Sequence, residues 1–424
     1  MPLQTALWVM NTERFVAAAR RRYGDIFTIR LPFTSASVQV CDPDGVRAIF
    51  GADPDTARAG EANVVLQPLL GRHSVLLLDR SEHLRQRRLM LPAFHGERMQ
   101  GYARLIETIA EAAIREWPRG TSFALRPAMQ SITLDVILRA VFGADEGSEL
   151  EALRSRIIDV LDMPTQLALL PGLRHRLGGH SPWARFLAAR DRLDAEIYAL
   201  IARRRAEPPR TAARDDILSL LMLARDEDGE GLTAVELRDE LLTLLVAGHE
   251  TTATSLSWFF ELILRHPAAL RRVRGELGDG ATEYLDAAIK ETMRLRPTVP
   301  VVARFLHAEL EVMGWCLPSG SVVAANILGV HHNERVYQQP HQYRPERFLG
   351  IRPHPFAWLP FGGGIRRCLG ASFATVEMRI VIAVVLRSLR LRHATGRAEG
   401  MRRRAVTMVP RRGGRVFVES RVTR

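Results

Sequence analysis

Apolar side chains recurring every three or four positions dominate this chain and predict mostly helix. A short amphipathic stretch at 12–22 precedes two strand-like runs, 26–31 and 37–40, joined by a proline-containing turn. Helical periodicity then holds from about 81 to 224, with breaks at Pro118, Pro171–Gly172, Pro182 and Pro208–Pro209. The clearest single helix starts at Thr233, which forms a T-x-x-E capping box with Glu236, and stays largely apolar to Leu264 before Pro267 ends it. At about 32 residues it would be about 48 Å long, enough to cross a whole domain. From 297 to 317 the pattern turns strand-like, 343–361 is rich in proline and aromatic residues, and a further helix is predicted over 368–389. Residues 405–409 and 416–418, on either side of 410–414, read as a β-hairpin. No repeat, linker or composition shift divides the chain. The expectation is one mainly α domain over residues 1–424 with a small β portion.

Composition narrows the function classes. The 424 residues are 47% hydrophobic and 25% charged, which excludes a disordered, collagen-like or disulfide-scaffold chain. A formal charge of +12 brings nucleic-acid binding into view. Yet Lys290 is the single lysine among 59 basic residues, and the arginines spread over the whole length. That spread reads as coding bias, whereas a phosphate-binding surface would cluster its charge. Cys41, Cys316 and Cys368 form neither a CxxC pair nor an even-numbered framework. No charged-then-apolar leader opens the chain. The uncharged stretch 312–333 is interrupted by Gly314, Pro318, Gly320, Asn326 and Gly329, so no bilayer span is predicted. A cytoplasmic protein without nucleic acid is expected.

The chemistry concentrates in Phe361-Gly362-Gly363-Gly364-Ile365-Arg366-Arg367-Cys368-Leu369-Gly370. Glycines let a backbone approach a ligand closely and adopt positive φ. Cys368 stands at the start of the predicted apolar helix, where unpaired N–H groups and the helix dipole favour thiolate. A single thiolate presented this way suits one axial bond to a metal whose other ligands come from a cofactor. A buried structural cysteine is the plainer alternative, and the glycines, arginines and aromatic weigh against it. The segment resembles the F-x-x-G-x-R-x-C-x-G haem loop of the cytochrome P450 haem-thiolate monooxygenases; Phe361, Gly364, Arg366, Cys368 and Gly370 all match. The resemblance implies haem b (iron protoporphyrin IX), with Cys368 as axial ligand to its iron and the thiolate favouring O–O cleavage. It also implies the cytochrome P450 fold, with the long central helix over the haem.

Other segments agree. Ala247-Gly248-His249-Glu250-Thr251-Thr252, inside the long helix, matches the family's A/G-G-x-D/E-T-T/S element. A mid-helix threonine can bond back to the carbonyl four residues earlier, here that of Ala247, and loosen the helix. Gly248 would leave room for a small ligand and water beside that bend. Glu250 and Thr251 are the expected catalytic pair, an acid and a hydroxyl relaying protons. Without the cysteine loop, such a triplet would read as solvent-facing helix surface. His249 occupies a variable position of the family and is not expected to be a ligand. Glu291 and Arg294 fit the family's E-x-x-R, and at i,i+3 they can pair on one helix face. Alone, such a pair carries little weight. The resemblance adds Arg347, in Tyr343-Arg344-Pro345-Glu346-Arg347-Phe348, as a third, buried and structural member of a Pro-Glu-Arg-Phe meander.

Haem propionates call for cations. Arg366, the i,i+4 pair His83 and Arg87, and Arg304 are the candidates, together with Phe361 and Gly370 as cofactor-binding positions. The resemblance further implies O₂ as co-substrate and NAD(P)H as indirect electron source. The stretch after Cys368 is too short for a fused flavin reductase, so electrons are expected from a ferredoxin or flavodoxin with its reductase. Arg367, Arg85 and Arg88 could form a positive patch for an acidic partner. The substrate pocket would draw on 62–77, 162–182, Leu244, Ala247, Val299, Val301, Val302, Thr407 and Met408. These are mostly aliphatic and point to a small lipophilic substrate. A monomer is expected. Two alternatives stand beside the monooxygenase: oxidative coupling or peroxide-driven oxidation on the same fold, and a non-catalytic haem-binding protein. The intact Glu250–Thr251 pair favours O₂ activation over both.

Overall fold

The computed structural model describes residues 2–30, 36–96, 98–144, 147–161 and 181–422. Among them helices predominate and strands are short. The chain divides into two compact units: one of Met1–Arg58, Ala103–Ile132 and Thr251–Arg424, the other of Ala59–Tyr102 and Thr133–Glu250.

The first unit carries the β structure. Its five-stranded sheet runs in the order Ile26–Ile29, Ser37–Val40, Val322–Asn326, Val301–Leu306, Ala57–Arg58. Ser37–Val40 pairs with Val322–Asn326 in parallel, and the other neighbours are antiparallel. Val40, Leu306, Val323 and Ala325 pack with Val46, Ile49 and Phe50 of the helix Pro43–Gly51 into one buried cluster. That helix starts cleanly because Asp42 accepts from the N–H groups of Asp44 and Gly45, with proline at the first helical position. The amphipathic stretch near the N-terminus is the helix Thr12–Tyr23, whose last turn carries Arg20, Arg21 and Arg22 where the dipole favours cations. A further helix, Pro2–Met10, precedes it; its pattern was too short to predict one.

The predicted C-terminal hairpin does not form. Thr407–Pro410 pairs instead with Met401–Arg404, turning through Ala405 at φ +51°. Arg415–Arg421 joins a different sheet, between Leu389–His393 and Phe123–Ala124. Gly413 and Gly414, both at positive φ, redirect the chain between the two. Alternation identified the strands, but their partners were chosen by packing.

The long helix, Ala234–Ile263, belongs to both units, the division falling between Glu250 and Thr251. Its capping box is reciprocal: Thr233 N–H donates to Glu236 Oε2 at 2.8 Å and Glu236 N–H to Thr233 Oγ1 at 3.2 Å. In the second unit, Arg238 on this helix holds Asp194 through both carboxylate oxygens, at 2.6 and 2.8 Å. No described helix is long and apolar enough to cross a membrane.

Candidate active site

The cysteine loop is shaped by what surrounds its glycines. Gly362 and Gly364 adopt φ of +64° and +63°. A Cβ on Gly363 would lie 2.6 Å from the Phe50 ring, and one on Gly364 would lie 2.6 Å from the Phe50 carbonyl oxygen. Gly364 therefore needs glycine both for its conformation and for its contact with backbone. Phe50, on the helix Pro43–Gly51, carries no sequence signal beyond amphipathic spacing, yet it is the surface on which the loop is moulded. The guanidinium of Arg304, buried on its strand, sits over the same ring at 5.5 Å and donates to the Ala303 carbonyl at 2.9 Å. The expected cofactor residue Arg304 is thus brought to the loop through Phe50.

Cys368 is exposed, and its N–H donates to the Phe361 carbonyl at 2.9 Å. The following helix starts at Ala371, with Gly370 as its N-cap, so Cys368 precedes the first turn rather than opening it. Arg366 is half-buried and Arg367 exposed. Around Gly362 and Gly370 a Cβ would meet nothing within 4 Å. One exposed thiol beside open space, with Arg366 next to it in the loop, fits a flat metal-bearing cofactor that supplies the remaining ligands itself.

Trp358 connects this loop to the buried ion cluster. Its ring meets Phe361 at 6.0 Å, and its Nε1 donates to the Lys290 carbonyl at 3.1 Å. One residue on, Glu291 lies fully buried. Arg294 grips it through Nε at 2.6 Å and Nη2 at 2.8 Å; Arg347 Nε reaches it at 3.3 Å and the Arg344 N–H at 2.9 Å. Arg294 also donates to the His331 carbonyl at 2.7 Å. The structure therefore brings Glu291, Arg294 and Arg347 together and ties them to the chain leading to the loop.

On the long helix, Glu250 and Thr251 are both half-buried. Ser255 Oγ donates back to the Thr251 carbonyl at 3.1 Å and pairs with Thr298 Oγ1 at 3.0 Å. His249 is buried and engages Thr133, whose hydroxyl lies 3.0 Å from Nδ1 and 3.1 Å from the His249 carbonyl oxygen. The expected room beside Gly248 is not open on that side: a Cβ there would lie 2.7 Å from Ile137 Cδ1. The glycine admits a neighbouring helix, because ridge-to-groove packing fills such gaps.

His83 and Arg87 share one face of the helix Arg80–Met90, His83 buried and Arg87 half-buried. On that helix the proposed docking arginines are otherwise engaged. Arg85 binds Asp226 at 2.6 Å and Glu236 at 3.1 Å, and Arg88 binds Glu227 at 2.6 Å. Two arginines facing three carboxylates make no positive patch, which corrects the sequence expectation.

The pocket residues separate. Met408 is buried, with its N–H donating to the Thr298 carbonyl at 2.7 Å and its carbonyl accepting from Trp258 Nε1 at 3.1 Å, so Thr407 and Met408 adjoin the half-buried Val299 segment. Val301 packs on the cluster around Trp8 and Phe27, whereas Val302 packs on the cluster around Phe50. They lie on opposite faces of their strand, so only one of them can face a given pocket. Leu244 is half-buried and Ala247 exposed, one turn apart on the long helix. Residues 162–180 lie outside the described residues.

The profile of the family Cytochrome P450 matches residues 3–414. This chain belongs to the cytochrome P450 family. It is 44% identical over 428 residues to cytochrome P450 135B1 of Mycobacterium bovis and Mycobacterium tuberculosis, covering 99% of this chain and 89% of the relative. It is 40% identical to cytochrome P450 137 of Mycobacterium tuberculosis over 96% of this chain and 86% of the relative. Among solved structures it resembles retinoic-acid-bound cyanobacterial CYP120A1, with TM-score 0.85 and 26% identity over 99% of this chain and 96% of that one. A cytochrome P450DA haem domain shares the fold at TM-score 0.82. Membership makes the protein a haem-thiolate monooxygenase, an oxidoreductase of a family that uses haem and O₂ and draws electrons from redox partners.

Proposed function

We propose that this cytochrome P450 inserts one oxygen atom from O₂ into a small lipophilic substrate, working as a single haem domain. The observation that carries the reading is the exposed Cys368 in a loop moulded on Phe50. Haem b, when bound, supplies the redox chemistry of oxygen activation. Cys368 would hold its iron through the thiolate, and Phe361 and Gly370 would shape the loop that receives it. Arg366 and Arg304 are assigned to its propionates by charge-assisted hydrogen bonding, and His83 and Arg87 to the same task on the family resemblance. Glu250 and Thr251, neighbours on the long helix, move protons: the carboxyl exchanges them with water and the hydroxyl passes them on. Glu291, Arg294 and Arg347 keep the approach to the loop rigid.

Leu244, Ala247, Val299, Thr407 and Met408, with one of Val301 and Val302, are assigned to the substrate. Their aliphatic character and the retinoic acid of the cyanobacterial neighbour both support a lipophilic molecule. Electrons come from NAD(P)H through a reductase and a ferredoxin or flavodoxin, and the exposed Arg367 beside Cys368 is the basic residue assigned to docking it. We place the enzyme in the cytoplasm as a monomer.

Carbon monoxide spectroscopy of the reduced protein tests the central assignment. Cys368→Ser abolishes the red-shifted Soret band, and survival of that band would overturn the ligand assignment. Thr251→Ala keeps the band while reducing equivalents are diverted to hydrogen peroxide.

A further inference from the structure

Away from the cysteine loop, three metal-binding side chains converge from distant parts of the first unit. Glu13 lies in the first turn of the helix Thr12–Tyr23, His332 directly follows the helix Ile327–His331, and His341 lies in the stretch leading to Pro345–Phe348. Their ligand atoms all fall within 4.8 Å of one another. The two imidazole rings meet edge to face with centroids 4.8 Å apart.

Hydrogen bonding decides what His332 offers. Its Nε2 lies 3.0 Å from the Leu295 carbonyl oxygen. A carbonyl can only accept, so Nε2 carries the proton and, in the neutral ring, Nδ1 presents its lone pair. Nδ1 lies 3.7 Å from Glu13 Oε1. Two acceptors this close gain nothing from each other unless a proton or a cation stands between them. A cation bonded to both atoms at about 2.0–2.1 Å spans a separation of this size at an open angle.

We propose that Glu13, His332 and His341 form a zinc site. Two imidazoles and a carboxylate suit a borderline cation such as Zn²⁺ better than Ca²⁺ or Mg²⁺, which prefer oxygen throughout. The Nε2–H bond to Leu295 is the kind of outer contact that orients a ligating histidine. His341 is exposed and leaves a path for the ion to reach the buried His332. Arg296, 3.7 Å from Glu13 Oε1, opposes the added charge and keeps the affinity below that of an all-cysteine site. The effect of loading is mechanical. Zinc ties the N-terminal helix, already joined to this region by Arg20 Nη1 donating to the His332 carbonyl at 3.3 Å, to the segment that enters the Glu291 cluster.

The holoenzyme, treated with a chelator and dialysed, is titrated with ZnCl₂ by calorimetry, and its thermal midpoint is followed in parallel. One saturable equivalent is expected, with a midpoint that rises with zinc concentration by mass action and does not respond to MgCl₂. His341→Ala, at an exposed position that leaves the fold intact, weakens this binding by at least about tenfold and removes the midpoint shift; Glu13→Gln does the same. Absence of a saturable equivalent in the wild type overturns the site. Wild-type binding in both variants overturns it equally, by placing the ion on other histidines.

Discussion

Two fully buried glutamates in the same unit have opposite surroundings. Glu291 accepts from both Arg294 and Arg347 and from the Arg344 N–H. Glu377, on the helix Ala371–Ser388 behind the cysteine, has no hydrogen-bond partner on either carboxylate oxygen among the described residues. Burial raises its carboxyl well above the usual range, which favours the neutral form. Depth alone therefore does not decide how a buried acid is held. Partners from two segments converge on Glu291, whereas burial pushes Glu377 toward its neutral form. The two helices are nonetheless linked, through Arg379 binding Asp286 with two bonds of 2.8 Å.

The strongest test of that contrast removes Glu291. Glu291→Ala or Glu291→Gln leaves Arg294 charged and buried without its acid, at a cost of about 3–5 kcal/mol. That is a large share of a stability of about 5–15 kcal/mol, so the expected product is aggregated or haem-free protein. Recovery of stable holoprotein with an unchanged urea midpoint would erase the distinction between the two acids.

Glu377→Gln sharpens the other side of it. The folded carboxyl keeps its proton while the unfolded one loses it above about pH 4.5. In the wild type the group's contribution is thus fully present below that value and declines as pH rises toward the folded pKa. The glutamine variant lacks this decline and should gain on the wild type by about 1.4 kcal/mol per pH unit in that window. Urea midpoints of both proteins between pH 5.5 and 7.5 measure the difference in slope, and parallel slopes would mean that Glu377 ionises in the folded state.

Arg347→Ala should have the smallest effect. It takes one bond of 3.3 Å from Glu291 and leaves Arg294 and the Arg344 N–H in place. A loss of about 1–2 kcal/mol with haem retained is expected, read from the same urea midpoints. A loss as large as that of Glu291→Ala would make Arg347 an equal holder of the charge.

Several features could be read without any structure. The capping box at Thr233, the i,i+3 pair Glu291–Arg294 and the glycine-rich approach to Cys368 all act within a few residues, so spacing carries them. Glu377 is the single acid of the helix Ala371–Ser388, and nothing local tells whether an arginine meets it. Phe50 had no signal beyond amphipathic spacing. It is ordinary in its own helix and becomes important only because a loop more than three hundred residues later packs on it.

Sequence alone thus determined the helical class, the long helix with its capping box, and the glycine-rich approach to Cys368, since each rests on dihedral preference and short-range geometry. Folding settled the rest. It split the expected terminal hairpin between two sheets, filled the space beside Gly248 with Ile137, and cancelled Arg85 against Asp226 and Glu236. It also gathered Glu13, His332 and His341 from opposite ends of the chain. Such contacts join residues far apart in sequence, and their energies depend on which surfaces close against each other, a choice that no local pattern encodes.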